Sequence, residues 1–196
     1  MPSNTENART ITPLGSSSVP DPARSEGSSS PGEGHDLGDE APSEDQLALR
    51  RYAVALLEAC EAALPGWVER SVIERADAWR PGLGSDLRSA AAAAGRRALD
   101  DVGPRLRAAL LADSEGAVAS PLSVLRTAVV HPTDVLRDGG VPEVVRDEFA
   151  VRAFPEDRYD LSPATFADVD PTLHELGLAW GAAKAHVVLA RRRGGR

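Results

Sequence analysis

Residues Leu173 to Ala190 read LHELGLAWGAAKAHVVLA, and from Leu176 onward only Lys184 and His186 are strongly polar. The run is shorter than the roughly 20 apolar residues a membrane span requires. A helix that is apolar nearly all round belongs inside a core, so the sequence predicts a buried C-terminal helix wrapped by others. Asp170 and Pro171 supply an N-cap and a first-turn proline. Leu173, Leu176, Trp180, Ala183, Val187 and Ala190 recur at steps of three and four, which makes one continuous stripe. Gly177, Gly181 and Ala185 form a second row at steps of four, where small side chains let another helix backbone approach. Each glycine costs about 1 kcal/mol of helix propensity against alanine. Close packing is the expected offset, and Gly181→Leu is expected to overpack the core.

The rest of the chain divides by composition. Residues 1–42 hold no aromatic side chain and are rich in Ser, Pro and Gly. Through Asp45 the count is 9 acidic against 2 basic groups. Low hydrophobicity with high net charge cannot offset the entropy of ordering, so this part reads as a disordered acidic tail. The expected domain spans 43–193, all-α, with six or seven helices, and 194–196 form a basic end. The acidic body excludes a broad phosphate-binding face. Cys60 is the single cysteine, and its place on an apolar helix face predicts a buried structural thiol. No apolar leader precedes the domain, so the expected location is cytoplasmic. One lysine against 21 arginines, with many alanines, matches the coding bias of a high-GC bacterium.

Proline and glycine punctuate the helices. Ser43 to Gln46 form a capping box for the first, which Leu64-Pro65-Gly66 is expected to end. A second is expected over 66–79. A third begins at Ser85 or Asp86, and Gly103-Pro104 is expected to break or kink it. Ser120-Pro121 opens another helix, ended by His131-Pro132. Pro142 opens one more, with Val145, Phe149 and Ala153 inward, closed by Phe154-Pro155. Residues 154–170 are a long connection with one short turn expected at Ser162-Pro163. Phe154, Tyr159 and Phe166 suggest that this loop is packed down, and its length makes it, with Tyr159 and Phe166, a candidate partner contact. No stretch alternates with period two, so no strand is expected.

Chemistry is sparsely signalled. His174-Glu175 starts like the zinc-protease helix, but position 178 is Leu where the second histidine belongs. The carboxylates of 156–170 lack the glycine and the closing glutamate of a calcium loop, so no metal and no cofactor are expected. Gly82-Leu83-Gly84 lacks the strand and third glycine of a dinucleotide site. Lys184 and His186 are the speculative catalytic pair, because a lysine in apolar surroundings has a depressed pKa and can serve as nucleophile or base. Arg191, Arg192, Arg193 and Arg196 either complement the helix dipole or contact RNA, DNA or an acidic protein.

His131-Pro132-Thr133, Val144 to Asp147, Arg152 to Pro155, Tyr159 to Leu161 and Gly177 to His186 together resemble a family of uncharacterised proteins of high-GC actinobacteria. The resemblance lies mainly in 131–193. It implies a soluble bacterial protein and assigns neither an activity nor a site residue. The favoured expectation is a non-enzymatic adaptor or regulator that binds another protein, with no membrane contact and with self-association open. A nucleic-acid-associated protein using the arginine end and an enzyme built on Lys184 and His186 are the alternatives.

Overall fold

Ser43 caps the first helix as its sequence requires. Its hydroxyl accepts from the Gln46 amide at 3.3 Å and its own amide donates to Gln46 Oε1 at 2.8 Å. The computed structural model describes residues 42–82, 84–112 and 119–194. The chain divides into two units, Met1–Glu40 and Ala41–Arg196. The expected disordered tail lies outside the described residues, and so does Arg196. Among the described residues there are seven α-helices, one 3₁₀ turn and no strand, which makes the second unit an all-α domain.

Helix α1 runs Glu44–Trp79 without interruption. The expected break at Leu64-Pro65-Gly66 does not occur. A proline inside a helix forfeits one hydrogen bond, at about 3 kcal/mol. Here the residues around it pay that cost through packing: Leu64, Trp67 and Val68 are all buried. Helix α2, Ser85–Leu111, likewise continues through Gly103-Pro104. Pro104 faces solvent, so water can serve the carbonyl that the ring leaves unpaired.

These two helices are the core. They pack antiparallel, with Pro65 against Gly95 and Glu61 bonded to Arg107 at 2.9 Å. On α1 the buried set is Ala53, Leu56, Leu57, Cys60, Leu64, Trp67, Val68, Ser71, Val72 and Ala76. On α2 it is almost all small: Ala91, Ala94, Gly95, Ala98, Val102, Gly103 and Ala109, with Leu106 and Leu110. The alanine block is therefore a contact face as well as a good helix former. A Cβ on Gly95 would stand 2.6 Å from the Pro65 carbonyl oxygen, so only glycine allows this approach.

Helix α3 (Pro121–Arg126), the 3₁₀ turn Thr127–Val129 and α4 (Val130–Asp138) follow one another directly. His131-Pro132 does not end a helix but sits in the first turn of α4, where a missing N–H costs little. Leu125, Val129, Val135 and Leu136 bury their side chains from this run. Residues 141–147 are not helical, so Pro142 opens no helix. Helix α5 is only Glu148–Ala153, capped by Asp147, whose carboxylate accepts from the Ala150 amide at 2.7 Å. Helix α6 is Phe166–Val169, capped at Thr165 rather than at Ser162-Pro163, because the Asp168 carboxylate reaches back to accept from the Ala164 and Thr165 amides at 2.8 and 2.7 Å.

Helix α7, Leu173–Gly194, is not the buried centre that its composition suggests. Only Leu173 and Val187 are buried. The stripe through Leu176 and Trp180 does face inward, onto α1 and the core. The opposite side, with Leu178, Ala182, Ala185 and Leu189, faces solvent. The glycine row is not approached by a helix backbone. Gly177 meets the Phe166 ring, 2.6 Å from where a Cβ would stand, and Gly181 meets nothing within 4 Å. The expected overpacking by Gly181→Leu has no structural basis. The physical reason is that α1 and α2 satisfy each other's apolar faces, which leaves α7 a neighbour on one side only.

Candidate functional site

The segment from Val141 to Asp170 is fastened from behind by arginines that donate to backbone carbonyls. Arg70 Nη2 reaches the Val169 oxygen at 2.7 Å and Arg75 Nη2 the Tyr159 oxygen at 2.7 Å. Arg126 Nε reaches the Pro163 oxygen at 2.8 Å, and its guanidinium lies 5.4 Å from the Phe154 ring centre. Arg146 donates to the Phe154 and Ala150 oxygens at 3.0 and 2.6 Å. A planar, multidonor cation suits this task better than lysine, so several arginines that composition alone assigns to coding bias hold the fold together. Asp157, 1% exposed, closes the loop by accepting from the Leu161 and Ser162 amides at 2.7 and 2.6 Å. That turn places Asp160 at φ 58°, a left-handed conformation aspartate tolerates.

This changes the status of two expected partner contacts. Tyr159 is 1% exposed and its hydroxyl donates to the Val141 oxygen at 2.8 Å. Burial pushes that phenol's pKa up, with Glu143 adding to the shift. Phe166 is half-buried against Gly177 and the core. Tyr159 therefore presents no surface to a partner, and Phe166 presents only part of its side chain. Two more of the loop's carboxylates are likewise engaged: Asp168 accepts from the Ala164 and Thr165 amides at 2.8 and 2.7 Å, and Asp170 accepts from the Thr172 hydroxyl and amide, which hold its pKa below the usual carboxylate range, with Arg70 contributing. Among the described residues no three His, Cys, Asp or Glu side chains gather as a metal-ligand group.

What the strap does present is the reverse of the expected arrangement. Val145 is 97% exposed and Phe149 80% exposed, although the spacing of Val145, Phe149 and Ala153 reads as an inward face. One turn after Phe149, Ala153 borders a cleft of about 330 Å³ between the strap and the α3–α4 run. Val129, Val130, Phe154 and Pro155 give it apolar walls. Ser162, another wall residue, has its hydroxyl oxygen buried without a partner. Two exposed apolar side chains thus share a segment with the wall of an apolar cleft, on backbone pinned by Arg146, by the Val144 amide to the Arg158 oxygen, and by Arg158 to Glu143 at 2.8 Å.

The α7 candidates are spread out. Lys184 and His186 are both exposed and lie on different sides of the helix. Lys184 Nζ stands 5.0 Å from the Trp180 ring centre, one turn back along the same helix. Lys184 also borders a groove of about 110 Å³ with Arg50 and Arg191, where α7 passes the start of α1 and the end of α2. Arg191, Arg192 and Arg193 occupy the last turn of α7. Cys60 is fully buried, and burial followed by Glu61 pushes its thiol up to about 12. No protein-family model, curated protein or solved structure matches the chain. Among the described residues no helix is long and apolar enough to cross a membrane.

Proposed function

We propose that this chain is a non-enzymatic helical adaptor of the cytoplasm, and that it holds a partner protein on the α5 strap. The observation that supports the reading is Phe149. A phenylalanine left in water forgoes about 1.5–3 kcal/mol of burial, on a short helix whose backbone is tied down from behind. Singly exposed apolar side chains are ordinary, but Val145 and Phe149 stand exposed within one short segment whose Ala153, Phe154 and Pro155 line an apolar cleft, and exposed apolar surface gathered in this way marks contact sites. Preorganised backbone lowers the entropy cost of binding. The expected partner offers an apolar groove to Phe149 and Val145 and a side chain to the cleft.

Crosslinked affinity capture from the native cell tests this, comparing the wild type with the Val145→Asp/Phe149→Asp double variant. Recovery of a defined protein by the wild type and its loss in the variant, with unchanged circular dichroism, supports the reading. Equal recovery by both overturns it. Recovery of RNA that falls steeply with salt and requires Arg191 to Arg193 would instead favour the nucleic-acid alternative.

A further inference from the structure

The solvent face of α7 carries a row with internal symmetry. Glu175, Leu178, Ala182, Ala185, Leu189 and Arg192 follow at steps of three, four, three, four and three, and all six are exposed. That spacing is the seam of a two-helix coiled coil. Read in either direction it gives charge, leucine, alanine, alanine, leucine, charge, with acid at one end and base at the other. A palindromic row of this kind complements itself only when reversed. In an antiparallel pair each Leu178 faces Leu189 of the second copy, each Ala182 faces Ala185, and each Glu175 faces Arg192. A parallel pair would set glutamate on glutamate and arginine on arginine.

We infer that this face of α7 binds a second copy of the chain, antiparallel, about a two-fold axis passing between Ala182 and Ala185. Such an isologous contact is the commonest form of self-association. The alanines at the centre let the two backbones come close, and Gly181 beside them has nothing within 4 Å to obstruct the approach. Antiparallel helices also set each positive N-terminus near the partner's negative C-terminus. One pair of 22-residue helices falls below the roughly 1,200 Å² of standard interfaces, so dissociation in the micromolar range is expected.

Sedimentation equilibrium on the full chain, from about 1 to 200 µM, reads the association directly. The account expects a monomer–dimer equilibrium that Ala185→Arg abolishes. Glu175→Arg or Arg192→Glu alone should weaken the dimer by about tenfold, since two exposed ion pairs become repulsions. The double variant Glu175→Arg/Arg192→Glu should restore it. All these positions are exposed, so the dilute variants should stay folded and melt at most a few degrees below the wild type, the charge reversals losing their favourable interaction with the α7 dipole. A strict monomer across this range would overturn the inference. So would a dimer indifferent to the single charge reversals, because a different face or a parallel register would then be in use.

Discussion

Gly95→Ala isolates the contact on which the domain is built. A Cβ there would lie 2.6 Å from the Pro65 oxygen, 3.0 Å from its Cα and 3.1 Å from its carbonyl carbon. All three are backbone atoms of α1, so no side chain can rotate away. The two helices must separate by several tenths of an ångström along a face where Leu64, Val68, Ala91 and Ala98 are fully packed. Overpacking of this kind costs about 3 kcal/mol, the upper end of the usual range. Alanine's better helix propensity returns about 1 kcal/mol. A net loss of about 2 kcal/mol should lower the melting temperature by about 4–8 °C in a domain of this size. Gly181→Ala is the matched control. It is the same substitution in a helix interior, but with open space around it, so dilute protein should melt about 2–4 °C higher. Thermal denaturation followed by circular dichroism reads both. If Gly95→Ala is as stable as the wild type, or the two substitutions shift stability in the same direction, the close α1–α2 approach is wrong.

Two further outcomes follow from buried groups. Tyr159→Phe deletes the hydroxyl that serves the Val141 oxygen; leaving that carbonyl unpaired should cost about 1–2 kcal/mol in chemical denaturation, with no gain or loss of helix. Cys60 gives a pH dependence. The folded chain keeps the thiol proton until about 12, whereas the unfolded chain releases it near 9. Between those values the folded state binds more protons, so this contribution is intact below pH 9 and is lost as pH rises toward 12. Urea denaturation at pH 8 and pH 10.5 should show a steeper alkaline decline for the wild type than for Cys60→Ala.

Much of the architecture is written in local patterns that the fold obeys. The Ser43 capping box, the inward stripe from Leu173 through Leu176, Trp180 and Ala183 to Val187, and the close of α5 at Phe154-Pro155 all stand where periodicity and capping place them, although the last member of the stripe, Ala190, is exposed. The failures share a cause, which is that tertiary packing overrides local preference. Pro65 and Pro104 would end or kink isolated helices, but packing around Pro65 carries α1 through it, and Pro104 faces solvent, where water serves the carbonyl its ring leaves unpaired. The apolar richness of α7 signals burial, yet two longer helices had already formed a sufficient core. Val145 and Phe149 have helical inward spacing, but the strap that bears them is held by carbonyl-capping arginines rather than by its own apolar face. Nothing in a single sequence distinguishes Arg70, Arg75, Arg126 and Arg146 from the exposed arginines, because their partners are backbone oxygens up to 99 residues away. The aromatics of residues 154–170 do signal a loop packed down on the core, and that packing leaves Tyr159 no face for the partner contact also expected of it.

The surfaces on α5 and α7 are free for partners only if α1 and α2 form the core and α7 lies outside it. Native-state hydrogen exchange on dilute protein tests that ordering. The account predicts the slowest amides around Leu56 to Val72 of α1 and Ala94 to Leu106 of α2, exchanging at the free energy of global unfolding, with α7 opening earlier from its C-terminal end. Slowest exchange in Leu176 to Leu189, with α2 opening first, would contradict it.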